Sequence, residues 1–316
     1  MKQVFLQLID YQKKYFDWKL YSSLAVLLAV LMWFNYTYNI EDGYLHGIRD
    51  FYGKWLGMFL FQAVPYLAVV FLLLIFGKQK KWISSPGFWM KFVLGFSILA
   101  LDRSSSVWKM AQEFFNGNDA VFAFRILTNL KSFIVLILPL GLLYLFTEKD
   151  KPRNYYGLIS RDFNPRPFFI LLAITSTFII IGGFIGDIQS FYPMYLKTGG
   201  TKFALDHDLP GWLVMLFYEI PYGIDFISVE MFFRGFLIFA FYRYLGPYVV
   251  LPMIATYCVL HFGKPLTESI SSVFGGYILG IIALNHKSIW GGVIIHMGIA
   301  WLMEVVGYSF RVFNAS

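Results

Sequence analysis

Apolar runs about as long as a bilayer is thick, broken by short polar turns, set the pattern of this chain. Crossing the hydrocarbon core takes roughly 20 mostly apolar residues, and Leu20 to Tyr38 and Trp55 to Phe76 meet that length. Phe88 to Leu101 is shorter and is predicted as a third span. Ser132 to Phe146, extended backwards through the preceding Phe and Leu residues, is a fourth, and Phe168 to Ile185 a fifth. From Trp212 onward the pattern predicts helices at about Trp212 to Phe226, Val229 to Tyr244, Tyr248 to His261, Thr267 to Leu284 and Ile289 to Tyr308. The expected fold is an all-α polytopic membrane bundle of roughly eight to ten membrane helices. Ahead of the first span, Lys2, Lys13, Lys14 and Lys19 alternate with Tyr and Phe. That stretch reads as an interfacial amphipathic segment, and no cleavable signal peptide is expected.

Composition makes the membrane assignment firm. The 316 residues are 58% hydrophobic, 21% aromatic and 14% charged, with a mean hydropathy of +0.60. A soluble domain carries about 25% charged residues, so this surface cannot be covered with polar groups. The formal charge of +7 does not indicate a nucleic-acid partner, because the Lys and Arg lie in short loops rather than along one face. Their expected partner is membrane lipid. The single cysteine, Cys258, excludes an internal disulfide and a Cys-based zinc site.

The loops give a topology. Lys78, Lys80 and Lys81 follow the second span, and Lys149, Lys151, Arg153, Arg161 and Arg166 follow the fourth. The loops around Glu41 to Asp50, Asp102 to Asp119 and Asp187 to Asp208 mix acids with fewer bases. This alternation predicts a cytoplasmic N-terminus in the cell's inner membrane. The polar stretch Thr147 to Arg166 divides the chain into N-terminal membrane helices, 1–166, and a chemically distinct core, 167–316.

That second part carries Glu219, Asp225, Glu230, Arg234, His261, Glu268, His296 and Glu304 within or beside apolar segments. A charge at mid-membrane costs at least about 2.5–3.5 kcal/mol on insertion scales. Glu230 and Arg234, four apart on a predicted helix, meet on one face and have a plain alternative as a structural ion pair. Two histidines and a Glu–Arg pair on different segments are better explained by one shared wet cavity than by separate penalties. Gly276 and Gly280 have the spacing for close helix packing.

Three fragments in order carry a family resemblance. They are Val229-Glu230-Met231-Phe232-Phe233-Arg234, Tyr257-Cys258-Val259-Leu260-His261 and His296-Met297-Gly298-Ile299-Ala300. They resemble the Glu-Glu-x-x-x-Arg, aromatic-x-x-x-His and His-x-x-x-Asn motifs of the CAAX protease and bacteriocin-processing (CPBP, or Abi) family, which includes the type II CAAX prenyl endopeptidases. The resemblance covers about Trp212 to Tyr308. It implies an intramembrane endopeptidase acting on a membrane-associated peptide or lipid-modified protein, with Glu230, Arg234, His261 and His296 as catalytic-site residues.

Two positions depart from the family pattern. Val229 stands where the family's first glutamate, the water-activating base, belongs, and Ala300 stands where its oxyanion-stabilising asparagine belongs. Losing one oxyanion donor costs on the order of 100- to 1000-fold in rate. Glu230 and Glu219 are the candidate substitutes for the base, although Pro221 and Gly223 interrupt the helical pattern between them. Glu268 and Glu304 are further candidates for the base, with a place at the interface the preferred reading. The resemblance implies that Glu230 acts as base or as site-fixing partner, Arg234 pairs with it, His261 shares the water and His296 faces the oxyanion. His261, His296 and Glu230 are also the donor types of an open zinc site. A metal-free site with no cofactor is preferred, because no His-Glu-x-x-His is present. The alternatives are a catalytically inactive member that binds a peptide or partner protein and, less favoured, a transporter.

Overall fold

The computed structural model describes residues 2–80, 82–148, 154–160, 163–182 and 191–315. Lys81, Lys149, Lys151, Arg153, Arg161 and Asp187, and the end of the predicted fifth span, lie outside the described residues. Thirteen α-helices and no strands are present among the described residues: α1 (Lys2–Tyr15), α2 (Trp18–Tyr38), α3 (Phe51–Ile75), α4 (Pro86–Ser104), α5 (Trp108–Phe114), α6 (Gly117–Thr147), α7 (Arg166–Gly182), α8 (Gly200–Asp206), α9 (Gly211–Glu230), α10 (Tyr242–Leu245), α11 (Val250–Val259), α12 (Leu266–His286) and α13 (Trp290–Ala315). Five of them, α2, α3, α6, α12 and α13, are long and apolar enough to cross a membrane, and α7 contributes a shorter apolar run. The chain is an integral, multi-pass helical membrane protein.

Local signals fix the helix starts. Asp17 caps α2 by accepting from the Lys19 and Leu20 amides, and Asp50 caps α3 through Gly53 N at 2.8 Å. Pro86 opens α4, where its missing N–H costs nothing, with Ser85 as the cap. Asn39 ends α2 in the left-handed conformation that asparagine tolerates.

Two compact units make up the chain. The first comprises Met1–Ser105, Leu138–Phe163 and Met231–Gly291. Its centre is α11, all ten of whose residues are buried, packed by α3 and α12. A β-carbon on Gly276 would lie 3.0 Å from Tyr257 Cδ1, and one on Gly280 would lie 2.6 Å from Met253 Cε. The Gly-x-x-x-Gly spacing therefore does make room at the α12 surface, for side chains of α11 to pack against. Residues Met231–Ala240, predicted as part of an α-helix, wind instead as a π-helix, a form that recurs at functional sites.

The second unit comprises Ser106–Ile137, Asn164–Glu230 and Gly292–Ser316. Phe122, Tyr195, Ala204, Val214 and Tyr218 form a core cluster within it. Its α9 runs unbroken through Pro221 and Gly223, although the sequence pattern breaks there. Gly223 supplies the space: a β-carbon there would meet the Trp301 ring at 2.5 Å, while the Trp301 indole donates to the Glu219 carbonyl at 3.1 Å.

Candidate active site

The α9 segment and the Gly292-to-C-terminus part of α13 lie side by side and run antiparallel. Phe226 and Glu230 meet His296, and Gly223 and Glu219 meet Trp301. This pairing places two polar groups at one level. Glu230, fully buried, ends α9, and its Oε1 lies 3.2 Å from His296 Nδ1. The Phe226 ring covers the imidazole, with centroids 4.4 Å apart. The other carboxylate oxygen of Glu230 rests against Gly292, in the first turn of α13, where a side chain would collide with it. A helix N-terminus favours a negative charge there.

The chemistry of this contact follows from what each atom accepts. A carboxylate accepts only, so Nδ1 of His296 carries the proton and donates. Nε2 then keeps its lone pair. A carboxylate holding Nδ1–H also fixes the ring's orientation and balances the charge of the imidazolium formed once Nε2 takes a proton.

A second level of acids lies further along the same two helices. Glu219 stands 11 residues before Glu230, about 16 Å at 1.5 Å per residue. Its neighbour there is Glu304, whose carboxylate accepts from the backbone amides of Met194 at 2.7 Å and Tyr195 at 3.1 Å. Glu304 is 1% exposed. Its partners are loop amides more than 100 positions away, which no local pattern announces. Glu219 sits too far along α9 to act beside Glu230. Glu268 does lie at a helix start, paired with Lys264 at 3.1 Å.

In the first unit, Tyr257 organises the other two predicted residues. The fully buried Arg234 guanidinium stands 4.0 Å from the centre of its ring, a cation–π contact strengthened by desolvation. The His261 ring lies 4.6 Å from the same ring. His261 Nδ1 is 2.9 Å from the Tyr257 carbonyl. A carbonyl also only accepts, so His261 takes the same tautomer as His296, with Nε2 presenting the lone pair. The loop after it is tied down: Ser269 Oγ donates to the His261 carbonyl at 2.7 Å, Asn35 Nδ2 to the Phe262 carbonyl at 3.2 Å, and Tyr36 OH to the Lys264 carbonyl at 2.7 Å. Sequence reading named Tyr257 only as a motif position, and it gave no role to Asn35, Tyr36 or Ser269. The bonds of Asn35 and Tyr36 span more than 200 positions and leave no spacing to read.

The stretch that contributes α9, Tyr257, both histidines and Trp301 is also the stretch with a family match. Residues 211–302 match the family described as type II CAAX prenyl endopeptidase Rce1-like. No curated protein and no solved structure matches the chain. Within the Rce1-like segment, Val229 precedes the buried Glu230 on α9, and Ala300, also buried, lies one turn after His296. Among the described residues, no three His, Cys, Asp or Glu side chains come together as metal ligands.

Proposed function

We propose that this chain is an intramembrane endopeptidase of the CAAX-protease type, and that Glu230 and His296 form its water-activating pair. The observation that carries the reading is the 3.2 Å contact between Glu230 Oε1 and His296 Nδ1 within the family-matched segment. Nε2 of His296 takes the proton of a water as that water attacks the scissile carbonyl, and later returns it to the leaving amine. Glu230 holds the imidazole in the required tautomer and balances its charge. This assignment gives the base function to His296, where the family resemblance gives it the oxyanion. It suits a chain with an aliphatic Val229 at the family's base position. Arg234 and His261 enter as site residues through the resemblance. The resemblance alone gives His261 a share of the water, and within the first unit Arg234 packs Tyr257 in place. The proposed site is metal-free and without a cofactor, the preference resting on the absence of a His-Glu-x-x-His from the sequence. The substrate is a membrane-associated or lipid-modified peptide, the N-terminus is cytoplasmic, and the host membrane is the cell's inner membrane.

The test is cleavage of fluorogenic peptides, prenylated and unprenylated, by purified protein in liposomes. Cleavage should be lost in Glu230→Gln and His296→Ala and should survive 1,10-phenanthroline. Undiminished cleavage in both variants overturns the assignment.

Val229 and Ala300 favour a second reading, a non-catalytic member that binds its peptide without cutting it. If the natural chain binds a peptide without turnover, and Val229→Glu with Ala300→Asn creates turnover, that second reading replaces the first.

A further inference from the structure

The first unit contains a cavity of about 660 Å³ that the proposed chemistry does not use. It opens beside α1, and its lining includes Gln7, Asp10, Lys14, Asn154, Tyr242 and Lys287. Its wall is built: Tyr11 OH donates to the Pro247 carbonyl at 2.7 Å and Tyr144 OH to Asn154 Oδ1 at 3.1 Å. The second bond leaves the Asn154 amide group as a donor. Gln7 Oε1 is buried in this lining with no hydrogen-bond partner, an acceptor whose burial costs energy until something donates to it.

The position of the cavity selects the ligand. Asp17, at the start of span α2, bonds Lys78, just past the end of span α3, at 2.7 Å. Lys78 in turn stands 5.9 Å from the Tyr248 ring, next to Pro247. Lys287 directly follows span α12. The ends of three spans therefore gather here with amphipathic α1, whose Phe5 and Leu6 remain exposed. This is the level of a bilayer at which phosphates lie.

We infer that this cavity binds the headgroup of a glycerophospholipid bearing a primary ammonium beside its phosphodiester. Lys14 and Lys287 hold the phosphate, and the Asn154 amide donates to it. Asp10 and the Gln7 carbonyl accept from the ammonium. A choline headgroup has no N–H to give them, so the same cavity discriminates against it. The volume lies within the range of small-ligand sites, about 300–1,000 Å³.

Native mass spectrometry of the delipidated full chain tests this. Dioleoyl phosphatidylethanolamine and dioleoyl phosphatidylcholine are offered together at equal concentration. The ethanolamine lipid should be retained at least tenfold over the choline lipid. Lys14→Gln with Lys287→Gln should lower the retention of both lipids at least tenfold, while Lys109→Gln, an exposed lysine that is not part of the lining, should leave it unchanged. Lys14 and Lys287 are exposed, and circular dichroism of the double variant should match the natural chain. Equal retention of the two lipids by the natural chain, or unchanged retention in the double variant, overturns the inference. Displacement of the lipid by millimolar O-phosphoethanolamine would also overturn it, by reassigning the cavity to a soluble phosphoester.

Discussion

Gly292 and Glu230 occupy adjoining space so closely that a β-carbon on the glycine would overlap the glutamate carboxylate. The yielding partner is the tip of a flexible side chain, not backbone. Gly292→Ala should therefore fold, at an overpacking cost of about 1–3 kcal/mol, but push the carboxylate away from His296. A misplacement of about 1 Å costs on the order of 100-fold in rate. Peptide cleavage in liposomes should fall by about that factor while membrane insertion and helix content stay unchanged. Gly275→Ala, where the new methyl meets nothing within 4 Å, should be silent in both assays.

Glu230→Gln retains the shape of the side chain and removes its charge. The amide can turn its NH₂ toward Nδ1 and stabilise the opposite imidazole tautomer, which has no lone pair at Nε2. A loss of about 10⁴-fold in kcat accompanies the equivalent exchange in a hydrolytic triad, and a loss of similar order is expected here, with KM little changed. A loss below tenfold would show that Glu230 does not orient the base.

Lys91 and Glu148 form a buried ion pair in the first unit, with the Lys91 ammonium also 3.5 Å from the Ala240 carbonyl. Removing one partner of such a pair costs about 3–5 kcal/mol, because the other charge stays buried, whereas replacing both is close to neutral. Lys91→Met should lower the thermal midpoint sharply, and Lys91→Met with Glu148→Leu should recover most of the loss. Equal destabilisation by the single and the double change would contradict the pairing.

The features legible in the sequence were those carried by local pattern. The runs at Leu20–Tyr38 and Trp55–Phe76 are helices because their length and apolarity leave no other way to satisfy a backbone in lipid. Gly276 and Gly280 announced a close approach by spacing alone. The motif fragments located Glu230 and His296, and their contact follows from antiparallel packing of the helices that carry them. What stayed hidden depended on distant partners. Helix α9 passes Pro221 because Trp301 packs on Gly223, and Glu304 is buried because the amides of Met194 and Tyr195 solvate it. The π-helix at Met231–Ala240 shows no signature either, since apart from Arg234 the run is apolar or glycine at every position and favours no period.

Tyr36 provides the sharpest test of how helix α2, which lies outside the family match, serves the site. Its hydroxyl is 2.7 Å from both the Lys264 carbonyl and Ser269 Oγ, and that Oγ donates to the His261 carbonyl. Tyr36→Phe removes one hydroxyl from this chain and leaves the ring packing intact. A hydrogen bond of this kind contributes about 0.5–1.5 kcal/mol, so the loop carrying His261 should loosen without unfolding. Under the proposed function, kcat should fall by about 2- to 12-fold with KM unchanged, since His261 acts on water rather than on peptide binding. Tyr38→Phe, two residues along α2 and exposed, should leave kcat as it was. A rise in KM at constant kcat would instead place the His261 loop in substrate binding.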